Sequence, residues 1–280
     1  MEILPLISAI EEKQLTLIGI CSDENSSFKL GPATAPPRIR EALHNGSANL
    51  TAENGISLGN NKRFTDIGDV NIGSGAEAFM KIEEHISQIL EQGGLPLTLG
   101  GDHAITYPII KAMAKYHQSF SILHFDAHPD LYDELMGNRL SNACPFARIM
   151  ENSLATRLIQ VGIRTVNEHQ KSQIERFSVE THEMQHFDAQ SFNPNLTGPV
   201  YISFDIDALD PAFAPGVSHF EPGGLSVREV LNIIQKIDVP IIGADIVEYN
   251  PEHDINGMTA MVAAKLIKEI GGMILKSNPL

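Results

Sequence analysis

Residues 121–130 read SILHFDAHPD, and this stretch decides the fold class of the chain. Its first half, Ser121 to Phe125, is a short and mainly apolar run with the length of a buried strand. Runs of the same kind occur at Leu15 to Ile20, Leu95 to Leu99, Leu158 to Ile163, Val200 to Phe204 and Pro240 to Val247. Continuous apolar runs, as opposed to alternating ones, are typical of parallel strands that helices cover on both faces.

Helical patterns separate these runs. They lie at Ala76 to Gln92, Ile105 to His117 and Met258 to Leu275, and a capping box at Ser226 to Glu229 opens another that runs to about Ile237. Alternation of strand and helix predicts an α/β protein, with residues 1–280 forming a single-domain, three-layer α/β/α fold around a doubly wound, mainly parallel sheet.

The stretch from Ser22 to Asn71 breaks this alternation. It is rich in Gly, Pro, Asn and Ser, residues that are typical of turns and loops. We expect long loops there, around one short helix at about Pro37 to His44.

The charge balance restricts the possible partners. The 280 residues include 35 acidic and 20 basic side chains, which gives a net charge of −15. Such a surface repels phosphate backbones and anionic lipids, so neither nucleic acid nor a membrane is expected as a partner. The sequence also lacks the run of about 18 apolar residues that a transmembrane helix needs. A small cationic substrate suits this charge better.

Two further features bear on localisation. Cys21 and Cys144 are too few for a disulfide framework and are expected to be reduced thiols. The segment Met1 to Pro5 does not combine basic residues with an apolar stretch, as a secretory signal does. We therefore expect a cytoplasmic protein.

Carboxylate and imidazole side chains follow four of the predicted strands at the point where each strand ends. The segments are Gly100-Gly101-Asp102-His103, Asp126-Ala127-His128-Pro129-Asp130, Asp205-Ile206-Asp207-Ala208-Leu209-Asp210-Pro211 and Glu248-Tyr249-Asn250. In an open α/β sheet, ligands bind at the carboxyl ends of the strands. The four segments are therefore expected to meet in one crevice.

The spacing within these segments favours metal ions. Asp126, His128 and Asp130 are two residues apart, so in extended chain their side chains share one face, and the same holds for Asp205 and Asp207. So many carboxylates in one crevice repel one another unless a cation lies among them. Oxygen and nitrogen ligands without thiolates favour Mn²⁺, with Fe, Co, Ni and Zn as alternatives. Shared carboxylates can bridge two such ions about 3.5–4 Å apart.

Each motif also has an ordinary structural interpretation. A lone Asp-x-Asp is more often a turn or a helix cap than a metal site. His103 can simply begin a helix that Asp102 caps. His124 lies inside a predicted strand and is expected to be a hydrogen-bonded core histidine. The joint occurrence of three ligand motifs, each directly after an apolar strand, is what favours a metal centre.

Together the motifs resemble the signatures of the ureohydrolase superfamily, which contains arginase, agmatinase and formimidoylglutamase. The resemblance covers nearly the whole chain and is closest to plant-type arginases. It includes Ser26-Ser27-Phe28, Ala35-Pro36-Pro37-Arg38-Ile39-Arg40, Asp66-Ile67-Gly68-Asp69-Val70, Gly216-Val217-Ser218-His219 and Glu221-Pro222-Gly223-Gly224-Leu225. It implies a binuclear-metal amidinohydrolase that assembles as a homotrimer or homohexamer.

The resemblance also implies a role for each site residue. Asp126 and Asp205 would bridge two Mn²⁺ ions, and Glu248 would pair with the guanidinium group of the substrate. A metal-bridging hydroxide would attack the guanidinium carbon and release urea and an amine, with Asp130 passing a proton to the amine. The full ligand set would be His103, Asp126, His128, Asp130, Asp205 and Asp207.

Position 142 departs from the family pattern. Family members usually carry a proton-shuttling histidine there, whereas this chain has Asn142, whose amide neither takes nor gives a proton. Loss of such a shuttle is expected to slow the site by about 10²–10⁴-fold without abolishing its activity. Asn142 can still hydrogen-bond a substrate or water and stays a candidate site residue. His219, in a loop expected to face the site, either substitutes as the proton carrier or is an ordinary exposed loop histidine. The alternative is a weakly active or inactive homologue that keeps its metals.

The resemblance narrows the substrate to guanidino compounds and favours arginine. The acidic loop Leu131 to Glu134 favours a decarboxylated amine, so agmatine or another guanidino compound is the alternative. The stretch Gly162 to Glu168 is expected to reach the far end of the substrate, where Asn167 or Glu168 would bind an amino group. A two-metal phosphoesterase uses the same ligand types, but no basic residues lie beside the motifs.

Overall fold

The computed structural model describes residues 4–280, with side chains from Leu6 onward. Within this part eight strands form one sheet: β1 (Leu15–Ile20), β2 (Phe64–Val70), β3 (Leu95–Leu99), β4 (Ser121–Phe125), β5 (Arg157–Ile163), β6 (Glu180–Glu183), β7 (Val200–Asp205) and β8 (Ile241–Val247). The spatial order is β2-β1-β3-β8-β7-β4-β5-β6, and all neighbouring pairs are parallel. The prediction about a secretory signal concerns Met1 to Pro5, whose side chains lie outside the described part.

Helices cover both faces of the sheet. They are α1 (Leu4–Ile7), α2 (Ala35–His44), α3 (Gly75–Glu91), α4 (Thr106–Tyr116), α5 (Pro145–Glu151), α6 (Glu168–Phe177), α7 (Val227–Gln235) and α8 (Met258–Ser277). One apolar core joins α2, α7 and α8 to the sheet, and a second joins α3, α4 and α5 to it. The predicted three-layer α/β/α fold is thereby confirmed. None of the described helices is long and apolar enough to cross a membrane.

The six predicted strands are all present, but two edge strands were missed. The expectation of loops around one helix from Ser22 to Asn71 was wrong at β2, which pairs with β1 at one edge of the sheet. Its sequence, FTDIGDV, is only partly buried, and Arg40 forms ion pairs with Asp66 and Asp69 there. At the other edge β6 is short and polar, with the sequence ETHE. Edge strands bury little apolar surface, so they lack the apolar run by which the inner strands were found.

Candidate metal centre and substrate pocket

The four strands that carry the ligand motifs are neighbours in the sheet and end level with one another. In the register of the sheet, Phe125 lies beside Phe204, Phe204 beside Ile246, and Ile246 beside Leu99. Because all four strands are parallel, the residues that follow these positions meet at a single edge. The local sequence therefore brings the acidic and histidine motifs together, as expected.

A tight turn after β3 positions the first of these motifs. The backbone N–H of Gly101 donates to the carbonyl of Ile20, and the carbonyl of Gly101 accepts from the N–H of Glu248, at 3.0 and 2.9 Å. A Cβ atom on Gly101 would lie 1.6 Å from the carbonyl oxygen of Ser22. Glycine is therefore required where three segments approach one another this closely.

Replacing Gly101 with alanine is expected to destabilise the protein by about 3 kcal/mol or more, because backbone must move to admit the methyl group. A Cβ on Gly198 would meet nothing within 4 Å, so Gly198→Ala is the matched control, with an expected change within about 0.5 kcal/mol. Urea unfolding of both variants measures the difference. Equal unfolding midpoints would show that the turn can relax at little cost.

One ring nitrogen of His103 lies among three carboxylates. Its Nδ1 atom is 3.2 Å from Asp126 Oδ2, 3.1 Å from Asp130 Oδ2 and 3.2 Å from Asp205 Oδ2. This nitrogen is buried and has no hydrogen-bond partner among the described residues. Four donor atoms that converge in this way surround a position that suits a cation better than a proton.

A second group of candidate ligands lies beside the first. His128 Nδ1 is 3.2 Å from Asp126 Oδ1 and 3.2 Å from Asp207 Oδ2. These three residues are close enough to hold one ion. Asp126 therefore belongs to both groups, with Oδ2 facing His103 and Oδ1 facing His128.

His124 was expected to be a core histidine, and the structure confirms that it is buried and hydrogen-bonded. It is close enough to His103 and Asp126 for the three side chains to hold one ion. Both of its ring nitrogens, however, already have hydrogen-bond partners in the protein. Nε2 lies 2.9 Å from Asp126 Oδ2, and Nδ1 lies 3.0 Å from the side-chain amide nitrogen of Gln160. Since that amide donates, the ring is the tautomer with its proton on Nε2, which donates to Asp126. Burial lowers the pKa of His124 to about 4, so the ring is neutral.

The electrostatics of the cluster also fit divalent cations. Burial and the nearby charges of Asp207 and Asp126 raise the pKa of Asp205 well above its usual range. Burial and Asp126 raise the pKa of Asp130 to about 6. Carboxylates that resist ionisation in this way become stable anions when a cation lies among them. The donor atoms and the charge of the cluster therefore both suit metal ions.

A buried hydrogen-bonded chain supports His103 from behind. His103 Nε2 lies 3.0 Å from Ser203 Oγ, and this hydroxyl donates to Asp245 Oδ1 at 2.8 Å. Asp245 Oδ2 accepts further hydrogen bonds from Tyr201 and Thr106. The Nε2 proton of His103 is thus directed to Ser203, which leaves the Nδ1 lone pair for the cation position.

Replacing Ser203 with alanine is expected to weaken metal binding by about 10- to 100-fold, because His103 loses the acceptor that fixes its tautomer. Thr98→Val is the matched control, since the Thr98 hydroxyl is buried in β3 without a hydrogen-bond partner among the described residues. Metal titration of both variants, followed by calorimetry, gives the dissociation constants. Unchanged affinity in the Ser203 variant would contradict this role.

Glu248 follows β8 and faces the ligand cluster. Its backbone has φ of 62°, a left-handed conformation that is uncommon for a residue with a side chain and is often found at functional sites. Its Oε1 atom accepts from the backbone N–H of His103 at 2.9 Å and from Asn142 Nδ2 at 3.0 Å. Burial raises the pKa of Glu248 to about 7.

A cavity of about 420 Å³ opens over the cluster. Most of the predicted site residues line it: His128, Asp130, Asn142, Asn167, Asp205, Asp207, His219 and Glu248. Three predicted site residues do not line it: Glu168 is exposed at the first position of α6, and His103 and Asp126 are fully buried. Among the described residues that line the cavity there is no lysine or arginine.

The far end of the cavity is built from hydrogen-bonded polar groups. Asn167 caps α6 by accepting from the N–H of Gln170, and its amide nitrogen lies 2.5 Å from the Tyr132 hydroxyl. The Tyr132 ring stacks on His169 with centroids 5.5 Å apart. Glu221 also lines the cavity and was missed, although its position two residues after His219 was a usable signal.

The eight-stranded parallel sheet and the histidine–aspartate cluster at its carboxyl edge define an α/β protein of the ureohydrolase class. The chain belongs to the arginase family, whose family model matches residues 13–272. It is a hydrolase acting on carbon–nitrogen bonds of linear amidines.

Three relatives illustrate the relationship. Arginase 1, mitochondrial, of Arabidopsis thaliana is 48% identical over 93% of this chain and 81% of its own length. Guanidino acid hydrolase, mitochondrial, of Homo sapiens is 36% identical over 95% of this chain and 80% of its own length. The structure of arginase from Medicago truncatula matches with a TM-score of 0.90 and 41% identity, covering 96% of this chain and 91% of that one.

Proposed function

We propose that this chain hydrolyses a guanidino substrate, with arginine favoured, at a centre that holds two Mn²⁺ ions. The observation that carries the proposal is the pair of ligand groups that share Asp126, directly below the cavity beside Glu248. The proposed ligands are His103, Asp126, His128, Asp130, Asp205 and Asp207. When bound, the two ions would supply a water nucleophile that is active at neutral pH.

The protein groups around this centre would bind and orient the substrate. Glu248 would hold the planar guanidinium through a charge-assisted hydrogen bond and so direct its carbon toward the ions. Asp130, which lines the cavity, would carry a proton to the leaving amine. His219 also lines the cavity, with its ring centroid 5.5 Å from that of His128, and is the second candidate proton carrier.

Two observations favour different substrates. The 48% identity to a plant arginase favours arginine. The absence of lysine and arginine from the described lining of the cavity, together with Glu221, favours a substrate without a carboxylate, such as agmatine. Asn167 would contact the far end of either one. The Pseudomonas aeruginosa guanidinobutyrase, 35% identical, makes a guanidino acid the third candidate.

Urea release from arginine, agmatine and 4-guanidinobutyrate by Mn²⁺-loaded protein tests the proposal. We expect turnover of at least one compound, loss of turnover on chelation, and recovery when Mn²⁺ is added back. Two bound metals without urea release from any of the three would overturn the proposal in favour of an inactive metal-binding homologue.

Three further features belong to the same proposal. The whole chain would act as one ureohydrolase domain and assemble as a homotrimer or homohexamer, which light scattering would measure. A cytoplasmic location stays a prediction, since the Arabidopsis and human relatives are mitochondrial by name.

A further inference from the structure

Asn142 is held in one orientation by its neighbours. Its side chain is 7% exposed, and its Oδ1 atom accepts from the backbone N–H of Ser27 at 3.0 Å and from Ser141 Oγ at 3.2 Å. Its own backbone N–H donates to the carbonyl of Asn25 at 2.9 Å. With two donors on Oδ1, the amide nitrogen is the atom that points to Glu248.

The contact with Glu248 is specific to one carboxylate oxygen. Asn142 Nδ2 and the backbone N–H of His103 both donate to Oε1, so Oε2 takes part in neither hydrogen bond. Two donors on one oxygen fix the rotation of the carboxylate. Because Glu248 lines the cavity, Oε2 is the oxygen left to meet a cationic substrate.

An amide suits this task for a chemical reason. It donates the same hydrogen bond at every accessible pH and cannot carry a proton away from the site. We propose that Asn142 is a positioning residue, which locks Glu248 through Oε1 so that the guanidinium group binds at Oε2, and that it takes no part in proton transfer. This inference rests on the proposed function, because it assumes a guanidinium group in the cavity.

The direct test is a double-mutant cycle on the Mn²⁺-loaded protein, with kcat and KM for the substrate that is turned over. Alone, Asn142→Ala is expected to raise KM by about 10- to 100-fold, with a smaller change in kcat. This fold-change corresponds to the free energy of one hydrogen bond to a charged group. In a Glu248→Ala background the same substitution is expected to change kcat/KM by less than about twofold. Effects that multiply instead would overturn the inference.

Asn142→Asp separates positioning from metal binding. It keeps the acceptor for Ser27 but replaces the donor to Glu248 with a second carboxylate, whose repulsion displaces the Glu248 side chain, so we expect it to impair KM more than Asn142→Ala. Asn138→Ala is the control from the same loop, since the Asn138 amide donates to Asn25 and not to the site. Metal content is expected to match between Asn142→Asp and Asn138→Ala, whereas the thermal midpoint of Asn142→Asp is expected to be lower because two carboxylates are buried side by side. A loss of metal in Asn142→Asp alone would overturn the inference in favour of a role in the metal centre.

Asn142→His tests whether position 142 takes part in proton transfer. An imidazole N–H can replace the amide donor, so we expect KM to be kept and turnover to change by less than about tenfold. Turnover that is faster by about a hundredfold or more, with a new inflection in the pH profile, would show that position 142 is suited to a proton carrier. That result would overturn the claim that residue 142 takes no part in proton transfer. If the native protein releases no urea from any guanidino compound, the proposed function fails first and this inference falls with it.

Discussion

Changing Asp126 to asparagine is expected to lower kcat/KM by on the order of 10³-fold, because metal ions supply several kcal/mol of transition-state stabilisation. Among the described residues, Asp126 is the one carboxylate whose two oxygens face both histidines, with Oδ2 toward His103 and Oδ1 toward His128. An asparagine there leaves one ligand group with an amide nitrogen in place of an anionic oxygen. We therefore expect the protein to retain one metal ion or none.

Metal analysis of the dialysed variant, beside steady-state kinetics, measures both effects. Asp188→Asn removes the same charge at an exposed position after β6 and is expected to bind two ions with native activity. We expect Mn²⁺ to raise the thermal midpoint of the native protein, and to raise that of the Asp126 variant by less, since a ligand stabilises only the state that binds it. An Asp126 variant with two tightly bound ions would contradict the shared-ligand arrangement.

Changing Glu248 to glutamine is expected to lower kcat/KM by about 10²- to 10³-fold while leaving the metal content unchanged. Removing one partner of a buried charged pair costs roughly 3–4 kcal/mol in comparable systems. Glutamine keeps the size and the acceptor for the backbone N–H of His103, so the loss reports on the charge. If Glu248 binds the substrate before the reaction, the effect falls mainly on KM.

Glu221→Gln is the matched control, because both glutamates line the same cavity but Glu221 is only half-buried. A screened charge contributes little, so we expect less than about a fivefold change for this variant. Equal losses in the two variants would indicate that the cavity attracts the substrate by its overall charge. In that case Glu248 would not be a specific guanidinium partner.

Much of the fold and of the candidate site was predictable because short stretches of sequence carry the pattern of each buried strand and of the residues that follow it. The inner strands are buried on both faces, so each carries a continuous apolar run such as Leu95 to Leu99. The ligands follow these runs directly, and the ends of parallel strands meet at one edge. The convergence of Asp126 and Asp205 could therefore be inferred without knowing any tertiary contact.

The edge strands and the orientation of individual side chains were not predicted, because no pattern in the neighbouring sequence indicates them. Strands β2 and β6 lie at the edges of the sheet and bury little apolar surface, so their polar sequences look like loops. Glu168 and Asn167 are adjacent in sequence and both are exposed, yet only Asn167 lines the cavity, where its amide meets the Tyr132 hydroxyl. Which of two neighbouring polar residues faces a cavity depends on the direction of the helix that begins there.

From residues alone, the chain's architecture and the clustering of its acidic and histidine side chains were determined, since burial patterns and strand ends are local properties. Only the folded structure decided which partner each ligand has. His103 and Ser203 are 100 residues apart, and Asn142 and Glu248 are 106 apart. Such hydrogen bonds form when loops from distant parts of the chain pack together, and no spacing or composition rule encodes the atoms that then meet.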